Sequence, residues 1–145
     1  MMKMVFIIIN LRRYTIMAVE KYSTLATSYA NNPVNMGRMN DPTGSAWIKG
    51  LCGDTMEIYL VIEKGIISDA KFFTDGCTAT LACGSAVTEL VKQGNIKTAL
   101  SMSPQKILDH LDGLPADHIH CAILATMTLH KALAEHLLNY GWPDT

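Results

Sequence analysis

The chain has 145 residues, of which 49% are apolar and 17% charged, and a formal net charge of −1. That is about one domain of ordinary globular composition, large enough to bury a core without disulfide or metal support. No Lys/Arg-rich stripe occurs to neutralise phosphates, which sets nucleic-acid binding aside.

The opening MMKMVFIIIN carries an apolar run, Met4 to Ile9, that is far too short to span a bilayer. As a signal peptide it lacks a small-residue cleavage site and has Arg12 and Arg13 on the wrong side. Residues 1–16 are therefore read as a non-native or flexible N-terminal extension ahead of a start at Met17, with 17–145 forming a single domain. The rival reading is a β-prone arm that pairs with a sheet edge or another chain, compatible with a homodimer. With no leader and no membrane segment, the expected location is the cytoplasm.

Residues 18–30 place Val19, Tyr22, Leu25, Ala26 and Tyr29 at helical spacing, and Pro33 stops that helix by pushing Asn32 out of the α region. A loop rich in Asn, Gly and Pro runs to Gly44. The period then changes. Ser45 to Lys49 reads as a short strand, Met56 to Ile62 as a second, and Ile66 to Phe73 as its hairpin partner across Glu63-Lys64-Gly65. From Thr78 the pattern is helical again. Cys83, Ala86, Val87, Leu90 and Val91 form one apolar face, and Gly94 ends the element. Ser103-Pro104 begins a helix running to about Leu111. Asp117 is read as the N-cap of a long last helix carrying Ile119, Ala122, Ile123, Thr126, Leu129, Leu133 and Leu137. The expected fold is α+β: a three-stranded antiparallel sheet covered by helices, with an N-terminal helix and a long C-terminal one.

Chemistry concentrates in four cysteines, at 52, 77, 83 and 121, with no C-x-x-C pair. A disulfide framework does not suit a cytosolic chain, and the missing pair argues against zinc-ribbon and thioredoxin-like sites. Any thiol site must be assembled by tertiary folding. Cys52 lies in the turn Gly50-Leu51-Cys52-Gly53-Asp54, where flanking glycines let a ligand approach and Asp54 can offer an oxygen. The plainer alternative is an ordinary turn whose Asp bonds its own backbone. Cys77 precedes a helix and Cys121 lies in the first turn of another, so both are expected to feel a helix dipole that favours the thiolate. Cys83 falls on an apolar helix face and reads as core. Of the five histidines, His110, His130 and His136 read as solvent-facing or capping. His118 follows the expected N-cap. His120 adjoins Cys121, but adjacent helical residues point about 100° apart, so it is an alternative or fourth ligand.

Five segments in order carry a family resemblance: Asn32-Pro33-Val34-Asn35-Met36-Gly37, Cys52-Gly53-Asp54, Gly76-Cys77, Val87-Thr88-Glu89, and Ile119-His120-Cys121-Ala122-Ile123-Leu124-Ala125. They resemble the N-P-x-N-x-G, C-G-D, G-C, V-T-E and I-H-C-S-I-L-A segments of IscU-type iron–sulfur cluster assembly scaffolds, the N-terminal domain of NifU. The resemblance runs from about Val19 to Leu138. It implies a transient 2Fe–2S cluster on Cys52, Cys77 and Cys121, with Asp54 or His120 completing the site, and zinc as another occupant of the same pocket. It further implies sulfur from a cysteine desulfurase, Cys121 as persulfide acceptor, transfer to apo iron–sulfur client proteins, and no turnover as an enzyme. Soft thiolates suit such clusters, and one harder ligand leaves a labile corner, a role assigned to Asp54.

Two departures accompany the resemblance. Leu114-Pro115-Ala116-Asp117-His118 stands where the family reads L-P-P-V-K, which argues against dependence on its specialised chaperone. Cys83 stands where the family carries Ser. The alternative function is a zinc-dependent persulfide acceptor, a SufU-like sulfurtransferase. That branch carries an insertion between the second and third cysteines, which is absent here.

Overall fold

The computed structural model describes residues 21–143; the extension read over 1–16 and the start at Met17 lie outside them. Strands β1 (Gly44–Lys49), β2 (Thr55–Glu63) and β3 (Ile66–Thr74) form an antiparallel meander in the order β1-β2-β3. In β2 the alternation of burial is strict, with Met56, Ile58, Leu60 and Ile62 facing the core. In β3 the alternation breaks once. Val61 pairs with Asp69 and Ile62 with Ile67, so Ser68 is the extra residue of a bulge, its hydroxyl bonded to the Val61 carbonyl at 3.2 Å. Beyond the bulge Ala70, Phe72 and Thr74 face inward.

Helices cover that one buried face. The elements are α1 (Thr24–Asn31), α2 (Thr78–Val91), α3 (Ile96–Leu100), α4 (Pro104–His110) and α5 (His120–Tyr140), with a 3-10 turn at Ala116–His118. α5 lies over β1 and β2, α2 lies over β3, and α1 packs on α2. Close approach depends on two glycines. A Cβ at Gly44 would stand 2.4 Å from the Ala132 carbonyl of α5, and one at Gly84 would stand 2.2 Å from the Phe72 ring.

The three-stranded antiparallel sheet and the long last helix match the expected α+β architecture. Four local readings are corrected. α1 begins at Thr24, because the Ser23 hydroxyl accepts the Ala26 N–H at 2.9 Å and fixes the cap there. α3 is an added element, capped by Asn95 on the Thr98 N–H at 2.8 Å. Asp117 is not the cap of α5: residues 116–118 turn as a 3-10 helix after Pro115, and α5 starts at His120 with no side-chain cap. His136 is buried, its Nδ1 2.9 Å from the Thr43 hydroxyl and its ring stacked on Tyr140.

The Asn-Pro segment has a structural task. Asn35 takes φ +61° and its carbonyl accepts the Phe72 N–H at 3.0 Å, while the Gly37 N–H reaches the Phe72 carbonyl at 2.8 Å. Asn tolerates this left-handed conformation better than most residues. Its side chain is held by Thr88 and Lys92, both at 3.3 Å, which straps the loop to α2 and to the far edge of the sheet.

Candidate metal centre

Three chain junctions meet at one end of the sheet. The β1–β2 turn supplies Cys52 and Asp54, the β3–α2 junction supplies Cys77, and the 3-10 turn leading into α5 supplies His118 and Cys121. The first turn is closed by Gly50 N–H to the Asp54 carbonyl at 2.7 Å and Gly53 N–H to the Gly50 carbonyl at 3.1 Å. Gly53 sits at φ +91°, a conformation that glycine accepts without strain, and Cys52 beside it is exposed. At the second junction Thr74 ties down the Gly76 N–H at 3.0 Å, and Asp75 accepts from Thr55 at 3.1 Å. Cys77 is the N-cap residue of α2 and is exposed.

The ligand atoms of Cys77, His118 and Cys121 all lie within 4.8 Å of one another. Asp54 borders the same space. Its Oδ2 accepts the Thr80 hydroxyl at 2.7 Å and the Cys77 backbone N–H at 3.4 Å, and its carboxylate is also in hydrogen-bonding reach of the Cys52 thiol. Gly76 makes room for it, since a Cβ there would lie 2.6 Å from Oδ2. The Thr80 hydroxyl holds the Asp54 carboxyl below its usual range, against the opposing effect of burial, with the Cys77 N–H adding to it.

The two helix-start thiols differ in exposure, Cys77 being exposed and Cys121 buried. Cys121 is fully buried, and burial pushes its thiol up to about 12; a bond from Thr80 acts the other way, and Cys77 and Cys52 push it higher. Desolvation therefore outweighs the dipole that the sequence reading credited with favouring a thiolate here. Cys121 is thus the buried thiol of the group, while Cys52 and Cys77 are exposed. Cys83 is buried on α2 as expected. Burial first, then the nearby Cys121 and Cys77, drive its thiol far above the ordinary range.

Among the sequence-predicted residues, the fold brings Cys77 and Cys121 together and sets Asp54 against Cys77 and Cys52. His120 points elsewhere: it lines an apolar hollow with Ile48, Leu51, Ile123 and Met127, its ring centroid 6.2 Å from that of His118. His118 faces the thiols instead. It precedes Cys121 by one turn of a 3-10 or helical spiral, and residues three apart share a face whereas adjacent ones do not. That spacing was readable in the sequence. Thr80 was missed too, and its signal was its place three residues into the helix that Cys77 caps.

Residues 21–140 fit the model of the NifU-like N terminal domain. The chain belongs to that family. It is 34% identical over 124 residues to iron-sulfur cluster assembly scaffold protein IscU 1 of Archaeoglobus fulgidus, covering 85% of this chain and 81% of that one. It is 35% identical over 120 residues to IscU of Escherichia coli K12, covering 79% and 93%. Among solved structures, a Fervidobacterium islandicum scaffold of the SUF system superposes with a TM-score of 0.60 at 20% identity, over 77% of this chain and 96% of that one. That likeness speaks for the NifU-like fold. Among the described residues, no helix is long and apolar enough to cross a membrane.

Proposed function

We propose that this NifU-like domain is a scaffold on which an iron–sulfur cluster, its cargo, is assembled and then surrendered to apo-proteins. The observation that carries the reading is the meeting of Cys77, Cys121 and His118 within 4.8 Å, with the Asp54 carboxylate in reach of both Cys77 and Cys52. Thiolates of Cys52, Cys77 and Cys121 would hold cluster iron, and Asp54 would supply one harder, exchangeable oxygen. An imidazole ligand would be His118 on geometry, in place of the His120 that the resemblance implied. Sulfur would come from a cysteine desulfurase, and acceptors would be apo iron–sulfur proteins. Cys121 as persulfide acceptor requires the pocket to open around it, because its thiol is buried. A cytoplasmic location belongs to the same reading.

The donor set also supports a second reading. Three thiols and a carboxylate suit tetrahedral zinc, and a zinc-dependent persulfide acceptor would use them. Anaerobic reconstitution with iron, sulfide and a desulfurase separates the two. A visible-absorbing cluster that moves to an apo-ferredoxin supports the scaffold. Tight zinc, stimulation of the desulfurase and no transferable cluster support the second reading. Failure to bind either overturns both.

A further inference from the structure

Thr80 is a polar side chain with no exposed surface, placed where three potential ligands meet. Its hydroxyl oxygen is 2.7 Å from Asp54 Oδ2, 3.5 Å from Cys77 Sγ and 3.5 Å from Cys121 Sγ. A hydroxyl has one proton to give. At 2.7 Å the short, charge-assisted contact to the carboxylate takes that proton, and the longer sulfur contacts cannot compete for it. Apolar residues surround this position on α2: Ala79, Ala82 and Cys83 are buried with it. A valine would fill the same volume, so packing does not call for a hydroxyl.

We propose that Thr80 is a positioning residue, which anchors Asp54 by Oδ2 so that the carboxylate meets an incoming metal or cluster iron in a fixed orientation. The inference rests on the ligand role given to Asp54 in the scaffold reading. Both Thr80 and the Cys77 backbone N–H engage Oδ2, so Asp54 can ligate through Oδ1 without leaving its anchor. The absent methyl of Gly76 completes the cradle. Hydrogen bonds of this kind, one layer behind a ligand, commonly change metal affinity by about 10- to 100-fold.

The probes are zinc, for affinity by competition with a chelator, and cobalt(II), whose visible spectrum reads the donor set. Thr80→Val should weaken zinc binding by about 10- to 100-fold, with the melting temperature of the metal-free protein little changed. Its cobalt spectrum should shift as that of Asp54→Ala does, and Thr80→Ser should restore both. In the Asp54→Ala background Thr80→Val should change nothing further, because the anchored group is gone. Equal losses in both backgrounds would mean that Thr80 acts on the sulfurs or on the fold, and would overturn the inference. So would wild-type affinity in Thr80→Val. If that variant does not fold, Thr80→Ala read in the same two backgrounds decides by the same criteria. A wild-type chain that binds neither probe overturns this inference, and the scaffold reading is then decided separately by the anaerobic reconstitution.

Discussion

Cys83 and Cys121 are both fully buried, yet of the two only Cys121 has its sulfur grouped with the ligand atoms of Cys77 and His118. Single replacement by Ser at Cys52, Cys77 or Cys121 should abolish a stable cluster, because a hydroxyl is a poor substitute for a thiolate on iron. Cys83→Ser should keep the cluster and lower stability by about 1–3 kcal/mol, through a buried hydroxyl. Visible absorption after anaerobic reconstitution, read beside urea unfolding, checks both halves; a cluster lost with Cys83 and kept without Cys52 would reverse the assignment. The exposure of Cys52 and Cys77 was legible in the sequence from a glycine-flanked turn and a helix start, whereas Cys121, also at a helix start, is buried. The imidazole was not legible. Adjacency in sequence drew attention to His120, whereas the 3-10 turn after Pro115 directs His118 inward instead. The raised Cys121 pKa was equally illegible, since the burial that causes it comes from residues far along the chain.

At the level of elements, periodicity sufficed for long segments and failed for short ones. β2 and the last helix are unambiguous in the sequence because their apolar positions repeat over many residues. α3 spans five residues, too few to show a period, and rests on the Asn95 cap. Gly84 shows what a pattern of residue types conceals: a glycine inside a helix looks like a weakness, but here the Phe72 ring occupies the space of its missing side chain. Gly84→Ala should therefore destabilise the protein by about 2 kcal/mol net, from about 3 kcal/mol of overpacking less about 1 kcal/mol of improved helix propensity. Urea denaturation measures it, and a stabilised Gly84→Ala would show that α2 can lift off the sheet at little cost.

For the molecule as a whole, His136 joins α5 to the loop before β1 through Thr43, whose hydroxyl also takes the Ile62 N–H at 2.9 Å. Burial lowers the His136 pKa below its ordinary 6.5, the bond at Thr43 partly opposing it. The folded state then binds a proton less readily than the unfolded chain, so this contribution to stability is full above pH 6.5 and is lost as pH falls through the lowered value. Melting temperature of the metal-free protein should drop from pH 7 to pH 5, roughly the range in which histidine gains its charge. His136→Gln should start lower and drop less; parallel curves would assign the effect to other groups. The proposed ligands, for their part, come from positions 52 to 121, at junctions joined only by the complete fold. An occupant there staples distant parts of the chain together, and at 100 times its dissociation constant it adds about 2.7 kcal/mol to stability by mass action. Delivery of cargo would then leave behind the less stable form. Proteases that act on the unfolded chain would remove empty molecules before loaded ones, so the lifetime of the protein would follow its supply of iron and sulfur.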